Sequence, residues 1–230
     1  MDFLSPDEWQ AVRLSLAVAW RAVVCGLPVA VLAAVALARG RFPGRWLLDT
    51  VVHLPLVVPP VVTGWALLIL LGVRGPLGAP LLHWFGVRLV FTTNGAALAT
   101  AVMSFPLMVR AIRLQLEGAD PKLEAAARTL GAGRLDRFVH VTLPLMLPGI
   151  LSGAIVAFAA AMGEFGAVIT FASNIPGQTQ TLPLAIYSAT QQSGGDATAG
   201  RLALVSVVLA GGGLLLAEWV ARRARRLVGA

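Results

Sequence analysis

Apolar residues run in long blocks along this chain, and polar and charged residues gather between the blocks. A helix that crosses a bilayer needs about 20 mostly apolar residues. Five blocks reach that length, at roughly 14–38, 51–72, 95–116, 145–172 and 202–220. A sixth stretch, 182–189, is too short to span and reads as an interfacial or re-entrant helix behind Pro183. The pattern predicts an all-α, polytopic membrane helix bundle with about five transmembrane helices.

Composition agrees with that reading. The chain of 230 residues is 57% hydrophobic and 13% charged, with a mean hydropathy of +0.80. Soluble domains carry about 25% charge. One aqueous core cannot hide this much apolar surface, so lipid is part of the solvent. The net charge of +7 would suggest nucleic acid in a soluble protein. Here the arginines flank apolar blocks, and no nucleic-acid partner is expected. Cys25 stands alone, which leaves no internal disulfide and no thiolate cluster. His53, His83 and His140 belong to separate segments with no metal-ligand spacing, so no metal site is expected. Met1 to Gln10 is acidic and lacks a basic leader pattern, so the first block reads as a retained anchor.

Basic residues set the orientation. Thirteen of the 18 Lys and Arg fall in one set of connections: Arg39, Arg41 and Arg45; Arg110, Arg113, Lys122, Arg128, Arg134 and Arg137; Arg222, Arg223, Arg225 and Arg226. The opposite set holds Arg13, Arg74, Arg88 and Arg201, with Arg21 inside the first block. The bias places the N-terminus outside and the C-terminus in the cytoplasm. Trp9, Trp46, Trp84 and Trp219 fall near the expected interfaces, where indoles favour headgroup depth. Pro28, Pro55, Pro59, Pro60, Pro106 and Pro148 interrupt four blocks and predict bent helices, which a transport pathway can use.

The longest connection on the basic side, about 117–142, carries helix signals. Asp120-Pro121 pairs an N-cap residue with proline at the first helical position. A short alanine-rich helix follows over 123–130, and Gly131 ends it. A second short helix is predicted over 134–141, with Leu135, Phe138 and Val141 on one face. The segment resembles the cytoplasmic Glu-Ala-Ala loop of the permeases of binding-protein-dependent ABC importers. That motif runs Glu-Ala-Ala, three residues, Gly, nine residues, Ile, one residue, Leu-Pro. Anchored on Gly131, this chain offers Val141, Leu143 and Pro144 at the later positions. Ala125, Ala126 and Ala127 follow a Glu124 that sits one residue early, where its charge is expected to favour the helix N-terminus. The resemblance implies that Glu124, Ala125, Ala126, Ala127, Gly131, Arg134, Leu143 and Pro144 couple this chain to a separate cytoplasmic ATPase, whose groove receives the short helix.

The likeness extends over about 5–222. The stretch from His53 to Gly64, the run Ser104 to Arg113, Gly163-Glu-Phe-Gly-Ala167, and Asn174 to Tyr187 are similar to molybdate importer permeases. Sulfate permeases share the Gly-Glu-aromatic-Gly element and differ after it. The resemblance implies a type I ABC importer permease: one transmembrane domain over 1–230, a core at about 11–222, and a coupling loop at 117–144. It implies alternating access for molybdate in the bacterial cytoplasmic membrane. The partners implied are ATPase subunits using ATP and magnesium, an extracytoplasmic oxyanion-binding protein, and a second copy of this chain as a homodimer. Tungstate, a similar tetrahedral dianion, and sulfate remain alternative substrates. A self-contained secondary transporter is the alternative of a different class, although no repeat relates the two halves.

No phosphate-cradling GxxxxGK[ST] sequence is present, so this chain cannot hydrolyse ATP by that chemistry. No HExxH, Ser–His pairing or carboxylate pair in the spans suggests an enzyme, so no catalytic residue and no cofactor of its own is expected. A dianion in transit needs donors, yet a strong fixed cation would trap it. Thr63, Ser104, Ser152 and Thr170 are the candidate neutral donors, each competing with a bond to a carbonyl one turn back. Glu164 is an acid well inside a span and reads as a gate or packing group, paired with an arginine such as Arg21, paired with a backbone donor, or protonated. Gly149, Gly153, Gly163, Gly166 and Gly211 to Gly213 allow close helix approach, within one chain or between two copies. The polar stretch 174–181 faces outside, as an ordinary loop, a binding-protein contact or part of an outer gate.

Overall fold

The computed structural model describes residues 4–40 and 42–228, with backbone alone at 121, 217, 220, 221 and 224–228. Met1 to Phe3, Arg41 and the side chains of Arg225 and Arg226 therefore lie outside the described residues. Among those described, every regular element is helical.

Helix α1 (Pro6–Arg39) begins eight residues before the apolar block does. Its start is set by polar chemistry. Ser5 and Glu8 form a reciprocal capping box, and Pro6 needs no donor at the first position. Glu8 is 5% exposed and is held by Arg201 at 2.7 Å. Its 34 residues make a rod of about 50 Å, longer than the ~30 Å hydrocarbon core. Pro28 sits inside it without ending it.

Helix α5 (Thr93–Glu117) runs parallel to α1. Val18 shares a core cluster with Ala96 and Ala97, and Leu37 shares one with Leu116. The chain between them must therefore cross the bundle once. It does so as two half-helices, α2 (Arg45–Val57) and α3 (Pro60–Leu71), bent by 118°. The single span expected over 51–72 is thus a broken one. The cause is the tandem Pro59-Pro60. Each proline disfavours helical backbone in the residue before it, and Val58 and Pro59 are both extended (ψ 137° and 136°). A short helix, α4 (Gly78–Phe85), follows before α5 begins.

Beyond α5 come α6 (Pro121–Thr129) and α7 (Arg134–Arg137). A π-helical turn over Phe138–Thr142 joins α7 to α8 (Leu143–Met162) without a break. The expected free-standing second loop helix is therefore the foot of the fourth span. The wider turn also shifts register. It leaves Leu135 81% exposed while Phe138 packs on the core, so the expected face of Leu135, Phe138 and Val141 is split. Helix α8 lies against α5, and a Cβ on Gly149 would sit 2.8 Å from Gln115 Cβ. Gly149 and Gly153 thus serve packing within the chain.

The fourth block also breaks, at Gly163–Phe165, and resumes as α9 (Gly166–Ala172). Helix α10 (Leu182–Thr190) does not cross. Leu182 and Leu184 are buried, and the Leu182 amide donates to Ser15 Oγ at 2.6 Å near the start of α1. Helix α11 (Asp196–Val228) begins beside the same end, through the Arg201–Glu8 pair, and makes the fifth crossing. Among the described residues, four helices are long and apolar enough to cross a membrane, and five spans result when the bent α2–α3 pair counts as one.

Candidate functional site

Two regions carry all of the predicted site residues except Ser104 and Ser152. The first is the connection between α5 and α8. Asp120 caps α6 by accepting from the Lys122 amide at 2.9 Å, as its sequence predicts. Gly131 follows the helix with φ +87°, a left-handed turn that glycine makes at little cost. Glu124 lies in the first turn of α6, as expected, and has further partners. Its carboxylate accepts from Arg39 at 2.5 Å and from the Thr142 hydroxyl at 2.6 Å. It ties α6 to the end of α1 and to the π turn, so it tethers the helix in addition to placing its charge in the first turn. Nothing in the sequence links these three residues, since Arg39 lies 85 positions away. Held this way, α6 presents Ala125, Ala126 and Leu123 outward, with Leu130 88% exposed. Arg134 and Pro144 are exposed, and Ala127 and Leu143 are half-buried. The result is a fixed helix with a small apolar surface, suited to a groove in another protein.

Beside this region lies a charged cluster missing from the sequence reading. Arg113 binds Asp49 and Glu117 at 2.8 Å each, and His53 lies 3.1 Å from Asp49. They line a cavity of about 360 Å³ together with Arg110. The cluster pins the foot of α2 to α5. Spacing along the chain gave no sign of it, because α2 and α5 meet only through the fold.

The second region is the junction of the two helix breaks. A Cβ on Gly166 would sit 2.8 Å from Pro60 Cβ, and one on Gly64 would sit 2.7 Å from the Ala167 carbonyl oxygen. The half-helices α3 and α9 can pack together only because these positions carry no side chain. Glu164 Oε1 accepts from the Ala167 amide at 2.8 Å, so a backbone donor holds it. Arg21 is not its partner and donates to Asn94 at 3.4 Å instead. Thr63 and Thr170 lie on the two packed half-helices, while Ser104 and Ser152 lie elsewhere, on α5 and α8. Three of these four hydroxyls donate within their own helix: Ser104 to Thr100 at 2.9 Å, Ser152 to Gly149 at 3.2 Å, and Thr170 to Gly166 at 2.8 Å. Thr63 makes no side-chain hydrogen bond among the described residues.

This junction opens outward from the chain, with Val57 83% exposed and Pro59, Pro60 and Val61 exposed beside it. Irregular backbone at membrane depth is tolerated where protein covers it or water lines it, not against lipid. Above the junction, the stretch 174–181 is internally bonded rather than loose. Buried Thr179 donates to the Ser173 carbonyl and accepts from the Ile175 amide. Asn174 and Gln180 both donate to Ser188 Oγ. Gly211 and Gly212 on α11 face open space. Among the described residues, no group of three or more His, Cys, Asp or Glu is placed to hold a metal.

A family model described as the binding-protein-dependent transport system inner membrane component matches residues 26–226. The chain is 56% identical over 226 residues to the molybdenum transport system permease protein ModB of Escherichia coli (strain K12), covering 98% of this chain and 99% of that protein. It is 37% identical over 228 residues to the sulfate transport system permease protein CysT of Salmonella typhimurium, covering 98% and 81%. Among solved structures, a chain of the bacterial alginate ABC transporter, crystallised with a periplasmic protein holding an alginate pentasaccharide, superposes with a TM-score of 0.76 at 18% identity. That match covers 96% of this chain and 80% of the other, and it speaks to the fold alone. The chain belongs to the family of inner membrane components of binding-protein-dependent transport systems.

Proposed function

We propose that this chain is the transmembrane permease subunit of an ABC importer for molybdate. The observation that carries the coupling half of this reading is the fixed, outward-facing α6, held by the Arg39–Glu124–Thr142 tether. A small helix held rigid on a membrane bundle gives an ATPase something to push. The substrate half rests on kinship: the relative named for molybdenum transport is 56% identical, against 37% for the sulfate relative.

In this reading the α6 face is cytoplasmic and the N-terminus lies outside, following the arginine bias. ATPase subunits that use ATP and magnesium bind Glu124 to Pro144, and this chain contributes no catalytic group. An extracytoplasmic oxyanion-binding protein delivers substrate to the opposite face, where 174–181 lies. Two copies of the chain enclose a path against which the α2–α3 and α8–α9 breaks face. The breaks then sit where water or a second copy covers irregular backbone.

The test is uptake into proteoliposomes holding this chain, its ATPase and its binding protein. ATP-dependent accumulation of labelled molybdate is expected, competed strongly by tungstate and weakly by sulfate. Equal competition by sulfate overturns the substrate assignment, and uptake without the ATPase overturns the importer class. The mass of the purified complex reads the copy number, and a reporter fused at the C-terminus reads its side of the membrane.

A further inference from the structure

We infer that Tyr187 supplies a neutral hydrogen-bond donor to the oxyanion as it passes the helix breaks. The inference rests on the importer reading above and names a residue of its path. Of the four hydroxyls that suit a dianion in transit, three are already spent on carbonyls of their own helices. A hydroxyl has one proton to donate, so those three are left as acceptors, which repel an anion. Thr63 on α3 is the fourth and keeps its proton free among the described residues, and α10 carries a second free donor to the junction.

Tyr187 is the one tyrosine of the chain. It lies on α10 and is 45% exposed. Its hydroxyl has no hydrogen-bond partner among the described residues. Its ring stands 5.4 Å from that of Phe165, tilted by 59°. Such a tilted pair fixes the ring without using the hydroxyl. Phe165 is itself part of the break between α8 and α9, so the phenol is carried at the junction. The element that carries it is firm. Leu182 and Leu184 of α10 are buried, and the Leu182 amide is bonded to Ser15.

The charges nearby suit passage rather than capture. Glu164 is occupied by the Ala167 amide, which offsets part of its repulsion. Arg21, on α1, is engaged with Asn94. A phenol donates one bond without adding a fixed positive charge, so it can hold a dianion briefly and release it. Tyrosine also favours the membrane–water interface for reasons unrelated to transport. The experiment is built to separate that reading from this one.

The first arm is Tyr187→Phe in the proteoliposome system with ATPase and binding protein. The ring and its Phe165 contact survive, and only the hydroxyl is lost. Losing one hydrogen bond to a charged partner predicts uptake turnover about tenfold lower, with an unchanged KM for loaded binding protein. The second arm is Tyr187→Cys in a Cys25→Ala background. A membrane-impermeant thiol reagent is expected to label the introduced thiol, and molybdate with binding protein and ATP is expected to slow that labelling. Wild-type turnover in Tyr187→Phe overturns the inference. So does labelling of the introduced thiol by lipid-soluble reagents alone. If the wild-type complex takes up no molybdate, the importer reading fails first and the role of Tyr187 falls with it.

Discussion

Gly131 in the α6 loop and Gly64 at the helix-break junction both favour glycine, for opposite reasons. At Gly131 an added Cβ would meet nothing within 4 Å, yet the backbone is left-handed at φ +87°. At Gly64 the backbone is ordinary helix, yet an added Cβ would sit 2.7 Å from the Ala167 carbonyl oxygen and 2.8 Å from Thr170 Cβ. The loop needs a backbone conformation and has room to spare. The junction needs room and has no unusual conformation. The difference fits the work proposed for each region: the loop would present a surface to the ATPase, and the junction lets two half-helices touch.

The largest expected effect is at the junction. Gly64→Leu forces a side chain against backbone that cannot step aside. Overpacking costs about 1–3 kcal/mol, occasionally more, and here it also separates α3 from α9. The expected outcome is loss of folded permease from detergent extracts, read as a lowered melting temperature and absent uptake. A stable, active Gly64→Leu protein would mean that the two half-helices do not pack as described.

Next in size is Gly131→Val, which tests conformation without crowding. A β-branched residue in the left-handed region costs about 1–3 kcal/mol, enough to unwind the end of α6 while leaving the spans intact. Extractable permease is expected at wild-type levels, with uptake down at least about tenfold. Gly131→Asn is the control, because asparagine tolerates that conformation, and it should retain most uptake. Equal loss in both variants would shift the explanation from backbone conformation to contact with the partner.

Glu124→Gln comes third and probes the tether that distinguishes the loop from a free helix. The amide keeps the shape but loses the charge that draws Arg39. A hydrogen bond to a charged group contributes about 1.5–3 kcal/mol, and partial exposure of this pair reduces that toward ~1 kcal/mol. Uptake should fall several-fold while ATPase co-purification weakens less. A double-mutant cycle with Arg39→Gln measures the coupling directly, and additive losses would show that the two side chains act separately.

These cases also mark how far the sequence could be read. The apolar blocks, the Asp120-Pro121 start and the Gly131 stop were visible because each is a local signal, carried by neighbours or by helical spacing. The tandem Pro59-Pro60 was visible as a bend, but its 118° angle was not, since the angle depends on where α3 finds Gly166 and Ala167 to pack on. The break at Gly163–Phe165 was hidden inside an apolar run that hydropathy treats as continuous. The tether at Glu124 and the Asp49–Arg113–Glu117 cluster join residues far apart in the chain, and no period or spacing announces such a pair.

The smallest expected effect separates the junction from the rest of the spans. Ser152 lies on α8, half-buried, and its hydroxyl donates to the Gly149 carbonyl one turn back. That carbonyl is already part of a helix, so the bond adds little, and such bonds slightly destabilise helices when they bend them. Ser152→Ala should leave stability within about 0.5 kcal/mol and uptake unchanged. If it instead lowers turnover as Tyr187→Phe is expected to, the path runs along α8 and not past the breaks. Two conservative removals of one hydroxyl, at different places on the same bundle, therefore decide which surface the oxyanion meets.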